Sequence, residues 1–221
     1  MAARPRICVT IVSNDPAAIK KVEPLADLFE VRIDLIGSGW REVAQNLKKP
    51  WIACNRRAEE GGKWKGNERE RIDELIKAIK LGASIIDIER GTPMVASAVA
   101  SITGKADLLL SYHNFKETPS LRKMREIIKS ELAAGADICK VVTTAHTLGD
   151  NISTLQLIKE FPDTKVVSFA MGAAGQISRV LCPLAGGYFT YASIAAGKES
   201  AKGQVTAGEL RKLYRILQDD R

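Results

Sequence analysis

Eight short apolar runs, each followed by a stretch with helical periodicity, constrain this chain more than any other feature. The runs are Arg6–Val12, Leu28–Leu35, Trp51–Asn55, Ser84–Glu89, Asp107–His113, Asp137–Thr143, Lys165–Phe169 and Gly187–Ala192. None is joined to the next by a two-residue hairpin signal, so neighbouring strands are expected to be parallel and linked by crossovers. A parallel sheet needs cover on both faces, and the intervening segments supply it.

Three of those segments carry clear helix signals. Asn67 with Glu70 forms a capping pair ahead of Ile72, Leu75, Ile76 and Ile79, and Gly82 closes that helix. Thr118-Pro119 opens a second, with Leu121, Met124, Ile128 and Leu132 as its apolar stripe and Gly135 as its stop. Thr206 and Glu209 form a capping box before Leu210, Leu213, Tyr214 and Leu217. Weaker helical patterns cover 15–24, 40–48, 93–103, 151–160 and 174–181. Eight strands alternating with eight helices predict a (β/α)8 TIM barrel, one compact domain over residues 1–221, with a doubly wound open sheet as the rival. Either architecture puts its chemistry at the carboxyl ends of the strands.

Composition narrows the function classes. With 45% apolar and 27% charged residues the chain can build a core. No apolar run approaches the roughly 20 residues of a membrane span, and the first residues do not read as a signal peptide. Both point to the cytoplasm. Cysteines 8, 54, 139 and 182 form no C-x-x-C pair, and there are two histidines, so buried free thiols are expected and a metal site is not. A net charge of +7 admits nucleic acid or an anionic small molecule as partner. The cations are scattered, and aromatics are 5% of residues, which leaves few stacking platforms and disfavours nucleic acid.

The sixth run, "DICKVVT", holds Lys140 between Ile138 and Val142 on one strand face. Turned into a barrel, that amine loses solvent, which disfavours its charged form; a neutral amine attacks a ketone and forms a Schiff base. A lysine snorkelling from the strand end, or paired with a carboxylate, remains the alternative. His113 closes the fifth run, and adjacent strands lie about 4.8 Å apart, so imidazole and amine can approach. Near a Schiff base an imidazole can move protons on the adjacent carbon.

Other charged residues gather at strand ends. "FEVRIDL" sets Glu30, Arg32 and Asp34 on one face, costly unless paired or functional. Arg56 and Arg57 follow the third run, then Glu59 and Glu60, and Glu89 ends the fourth. Asp34, Arg57 and Glu59 read as ion-pair or loop residues. After the seventh run, "MGAAGQISR" makes a glycine turn into a helix carrying Arg179, suited to bidentate carboxylate binding. Residues 194–205 are the most loop-like and suit a lid, offering Ser200 and Gln204 to hydroxyls.

In this order, "EVRID", "RRAEEGG", "SYHNF", "ICKVV", "MGAAGQISR" and "SAKGQ" resemble the motifs of the type I 3-dehydroquinate dehydratases along nearly the whole chain. The resemblance implies a (β/α)8 barrel, a homodimer, no cofactor, and syn dehydration of 3-dehydroquinate to 3-dehydroshikimate in the shikimate pathway. It also assigns roles. Lys140 is the Schiff-base lysine, His113 the general acid/base, and Glu60 the residue that orients it. Glu30, Arg32, Arg56, Arg179, Ser200 and Gln204 bind the substrate's carboxylate and hydroxyls. Lys202 departs from the family's S-A-P-G-Q lid, where proline stands, and gives the lid more backbone freedom. A Schiff-base aldolase or transaldolase-like barrel is the alternative enzyme, and a basic nucleic-acid-binding module the non-enzymatic one.

Overall fold

The protein is described by a computed structural model over residues 4–93 and 95–218. Nine strands are found among the described residues: β1 Ile7–Ile11, β2 Leu28–Arg32, β3 Trp51–Cys54, β4 Ile85–Glu89, β5 Asp107–His113, β6 Ile138–Thr144, β7 Lys165–Met171, β8 Thr190–Ser193 and a two-residue β9, Val205–Thr206. The helices in chain order are α1 Pro16–Val22, α2 Ile33–Ile36, α3 Trp40–Asn46, α4 Glu68–Lys80, α5 Val95–Ile102, α6 Leu121–Ala133, α7 Leu148–Lys159, α8 Gln176–Leu181 and α9 Ala207–Gln218. Strands β1 to β7 pair in sequence, every pair parallel, and β8 returns to β1 with Ile7 opposite Thr190. Across the remaining seam the Tyr188 N–H donates to the Val166 carbonyl at 2.8 Å. The sheet thus curls into the expected barrel.

The capping signals hold where side chains can reach. The Glu70 N–H donates to Asn67 Oδ1 at 2.9 Å, and the Asn67 N–H to Glu70 Oε2 at 3.0 Å. At α9 the Thr206 N–H donates to Glu209 Oε2 at 2.9 Å. Several boundaries differ from the reading of the sequence. Helix α6 is capped by Ser120, because the Thr118 hydroxyl is used to donate to the Thr144 carbonyl at 2.9 Å. Helix α7 starts at Leu148 instead of 151, since Asp150 accepts the Thr147 N–H at 2.7 Å and fixes an earlier first turn. Of the helix expected at 93–103, Val95–Ile102 is seen, and Met94 lies outside the described residues.

The correction that matters for the site is at β2. It ends at Arg32, the last residue opposite β3, and Ile33–Ile36 turn into one helical turn. Asp34 therefore does not continue the strand face of Glu30 and Arg32.

Alternation along the strands sorts the interior. One set of side chains, including Val9, Phe29, Val31, Ile86, Ile88 and Leu110, packs outward in one cluster with Leu75, Ala78, Leu210 and Tyr214 of the helices. The other set faces the barrel axis. Its lower layer is apolar, with Cys8, Leu28, Ile52, Ile85, Leu109 and Ile138 buried together. One step toward the carboxyl ends, the same faces carry Glu30, Asp87, Ser111 and Lys140, all buried. An apolar floor thus supports a charged chamber.

Candidate active site

Lys140 is buried, and its Nζ donates to Asp87 Oδ2 at 3.0 Å and to the Tyr191 hydroxyl at 3.1 Å. Glu30 Oε1 lies 3.9 Å away, and the ammonium stands 4.3 Å from the centre of the Tyr191 ring. Of the two environments considered for this lysine, the structure realises the one with a carboxylate partner. Burial alone would raise the Asp87 carboxyl, but Arg56 and Lys140 hold it well below the usual carboxylate range.

Residue 111 of β5 lies opposite Lys140, which sets His113 one inward step nearer the mouth. Such diagonal neighbours are within reach of long side chains. His113 Nδ1 is 2.9 Å from Glu60 Oε2. Burial and the cations Arg56 and Lys140 push the imidazolium well below the usual histidine range, so the ring is neutral at pH 7. Burial likewise lifts the Glu60 carboxyl to about 7, against the opposing pull of Arg56. Glu60 reaches the ring from a 3-10 turn, Ala58–Glu60, on the β3–α4 loop. The two glycines that follow have a steric reason. A Cβ on Gly62 would stand 1.9 Å from the Arg56 carbonyl oxygen. That close approach, with the Gly62 N–H donating to the Arg57 carbonyl, folds the loop back over the mouth.

Arg32 and Arg56 are both occupied. Arg32 makes a bidentate pair with Asp34, Nε to Oδ1 at 2.8 Å and Nη2 to Oδ2 at 2.7 Å. Asp34 also accepts the Lys63 N–H at 3.0 Å, so its ion-pair reading is correct. Arg56 gives Nη2 to Asp87 at 2.7 Å, and Nη1 to Glu89 at 3.0 Å and to the Ser111 hydroxyl at 2.8 Å. Glu89 in turn meets Arg71 Nη1 of α4 at 2.8 Å.

Arg179 is different. It is buried on α8, has no carboxylate within 4 Å among the described residues, and gives only Nη2 to the Lys202 carbonyl at 3.4 Å. Its guanidinium lies 4.4 Å over the Phe169 ring, and burial lowers its pKa to about 10. The loop after β8 closes above it. The Gly172 N–H donates to the Lys202 carbonyl at 3.2 Å. The Ser200 N–H donates to Gln204 Oε1 at 2.8 Å, and Gln204 Nε2 to the Thr10 hydroxyl at 3.3 Å.

One cavity is lined by Lys140, His113, Glu60, Glu30, Arg32, Arg56, Arg179, Ser200 and Gln204, the full set of predicted site residues. Phe115, Phe169, Met171 and Tyr191 are among the residues that form its walls. Asp87 and Tyr191, the two groups on Lys140, were not singled out in the sequence. Asp87 had a signal, as a carboxylate alternating with Glu89 in the apolar run "IIDIE".

A parallel barrel with a buried amine, a neutral imidazole backed by a carboxyl, and a guanidinium with no carboxylate partner among the described residues, all in one cavity at the strand ends, defines a barrel enzyme for small anionic substrates. The sequence model of type I 3-dehydroquinase matches residues 7–221. A 3-dehydroquinate dehydratase of Dehalococcoides mccartyi is 47% identical over 213 residues, 96% of each chain. Another, from Methanocaldococcus jannaschii, is 35% identical over 96% of this chain and 98% of its own. The solved 3-dehydroquinate dehydratase of Geobacillus kaustophilus superposes with a TM-score of 0.86 at 25% identity, covering 98% of this chain and 93% of that one. The chain belongs to the type I 3-dehydroquinase family.

Proposed function

We propose that this family member dehydrates 3-dehydroquinate to 3-dehydroshikimate, the step of the shikimate pathway, through an imine on Lys140, with His113 as the proton carrier. The observation that carries the reading is the content of one cavity: Lys140, the His113–Glu60 pair, and Arg179 with no carboxylate within 4 Å among the described residues.

The Lys140 ammonium gives one proton to His113 and attacks the C3 carbonyl as the free amine; the C–N bond forms, and the carbonyl oxygen leaves as water with a second nitrogen proton and the one His113 carries, giving a protonated imine that keeps one N–H. Neutral His113 takes a C2 proton, and that C–H electron pair becomes the C2–C3 double bond of an enamine. The enamine pair then expels the C1 hydroxyl, which leaves as water with the proton His113 carries. Water returns across the imine to free the ketone and the amine. One imidazole both takes and gives, so both events fall on one face of the ring. Glu60 orients His113. Arg179 receives the carboxylate, for which an unpaired buried guanidinium is suited. Ser200, Gln204 and Glu30 meet the hydroxyls. Arg32 and Arg56 line the same wall, their charges already shared with Asp34, Asp87 and Glu89.

A homodimer, a cytoplasmic location and a single catalytic domain over 1–221 belong to the same reading. Among the described residues no helix is long and apolar enough to cross a membrane. Borohydride added during turnover should fix one substrate-derived mass on the peptide holding Lys140. Turnover with no adduct there would overturn the imine, and sedimentation equilibrium decides the dimer.

A further inference from the structure

We propose that Asp87 is the resident counter-ion of the protonated imine on Lys140, with the Tyr191 hydroxyl positioning the amine from the far side of the barrel before it condenses. The inference rests on Lys140 as the imine-forming residue and adds two residues to that chemistry.

Six charged groups run through the buried chamber in alternating contact. Arg71 meets Glu89 at 2.8 Å, Glu89 meets Arg56 at 3.0 Å, Arg56 meets Asp87 at 2.7 Å, and Asp87 meets Lys140 at 3.0 Å. Glu30 stands 3.9 Å beyond Lys140. Each cation in this run lies between carboxylates, Arg71 also holding Glu68 at 2.8 Å at the outer end, and in a poorly solvated interior such pairing is what makes the charges tolerable. Condensing an ammonium with a ketone gives a protonated imine and water, so the nitrogen keeps the same single positive charge. A chamber that balances the one balances the other. A neutral imine in its place would leave the chamber with an uncompensated anion. The buried carboxylate thus holds the nitrogen in its electron-withdrawing form, the form the elimination requires.

The same geometry explains the proton's route. The Lys140 cation is among the charges that keep His113 from binding a proton. When the C2–H pair flows toward nitrogen, that cation is lost and His113 gains basicity as the proton arrives. Asp87 acts on His113 in the opposite sense, favouring the imidazolium. The positive charge passes from one group to another beside a fixed carboxylate, so little has to reorganise.

Asp87 is fixed independently of Lys140. The Ser111 hydroxyl donates to its Oδ1 at 2.7 Å, leaving Oδ2 for Arg56 and Lys140. Tyr191 stands on β8, four strands from β4, braced edge-on by Phe169 and Phe189. Nζ is therefore held from two walls. Glu30, Cys54 and Asp87 also place three potential metal-ligand atoms within 4.8 Å of one another, but the cations beside them are Lys140 and Arg56.

Asp87→Asn keeps the shape and removes the charge. It should lower kcat by about 10²-fold, the scale for one preorganised electrostatic group. KM should stay within about threefold of wild type, because Asp87 does not hold the substrate's carboxylate. Borohydride labelling of Lys140 should slow in step with kcat, since the reagent reduces the protonated imine. Tyr191→Phe retains the ring contacts and should lower both rates by about tenfold. It serves as the deciding variant if Asp87→Asn melts too low to assay. Wild-type kcat and labelling in Tyr191→Phe, or in a folded Asp87→Asn, would overturn the inference. Wild-type protein that turns over without labelling at Lys140 would overturn the imine reading instead.

Discussion

His113 Nδ1 and Glu60 Oε2 stand 2.9 Å apart, and the proton between them is governed by two opposite displacements. Burial and nearby cations hold the imidazolium well below the histidine range, while burial lifts the Glu60 carboxyl to about 7. Below about pH 7 the carboxyl keeps its proton and donates to Nδ1. The neutral ring then carries its own hydrogen on Nε2 and has no free base for the cavity. Above about 7 the carboxylate accepts the Nδ1–H, and Nε2 is free.

Activity should therefore rise with pH through about 7, on a limb belonging to Glu60 and not to His113. In Glu60→Gln the amide oxygen accepts the Nδ1–H at every pH, so the limb should flatten at a plateau about 10–10² lower. Profiles of kcat/KM between pH 5 and 9 read this directly. A Glu60→Gln enzyme that keeps the wild-type limb would assign it to another group.

Arg179→Met should weaken binding and strengthen the fold. The buried guanidinium has no carboxylate within 4 Å among the described residues, so its charge is a standing cost until substrate arrives. Losing a charge-assisted bond to the substrate's carboxylate, worth about 1.5–3 kcal/mol, should raise KM roughly ten- to hundredfold. Without substrate the variant should melt above wild type. An unchanged KM would remove Arg179 from carboxylate binding, and a lower melting temperature would point to a partner for its charge.

The barrel was legible because its signals are local: apolar runs at strand length, caps at helix starts, and polar residues inside strands such as Lys140 and His113. What escaped depends on distant partners. "EVRID" alternates as a strand to its end, but pairing with β3 stops at Arg32, and Asp34 turns away to hold that arginine. Arg56 reads as a free cation after a strand. Its two carboxylates, Asp87 and Glu89, lie more than 30 residues on and meet it only when β3 and β4 lie side by side. The stripe assigned to α6 included Leu132, which is half-exposed, while Ile127 and Glu131 are buried. A glutamate on a helix reads as solvent-facing, and the sequence gives no sign that this one is not.

Gly203→Ala should loosen the lid. Gly203 has φ +77°, and a Cβ there would stand 2.4 Å from the Gly172 carbonyl oxygen. The backbone conformation alone costs a non-glycine residue about 1–2 kcal/mol. The loop would lift from Gly172 and carry Ser200 and Gln204 away from the cavity. KM should rise severalfold with little change in melting temperature. Trypsin cleavage after Lys202 should accelerate, and substrate should suppress it less than in wild type. Unaltered cleavage and KM would mean that the loop seats equally well without the glycine.

Glu131 gives a prediction about stability alone. It is fully buried on α6, and among the described residues neither carboxyl oxygen has a hydrogen-bond partner of good geometry. Burial raises its carboxyl well above the usual range, and the Cys139 thiol, Arg90 and the Lys140 main chain offset only part of that. A raised carboxyl stabilises the fold fully below its unfolded value, about 4.3, and that contribution drains away as pH climbs toward the folded value. The loss therefore begins above about pH 4.3 and grows as pH rises, unlike that of a salt-bridged carboxylate, which weakens in acid. Glu131→Met, apolar and of similar length, should flatten the dependence of melting temperature on pH. It should also be the more stable protein above pH 7, by about 1–3 kcal/mol, the cost of an unpaired buried polar group. Thermal unfolding of both proteins from pH 5 to 9 makes the comparison. A variant that melts below wild type at pH 9 would show that the carboxylate has a partner there and that its burial is not a cost.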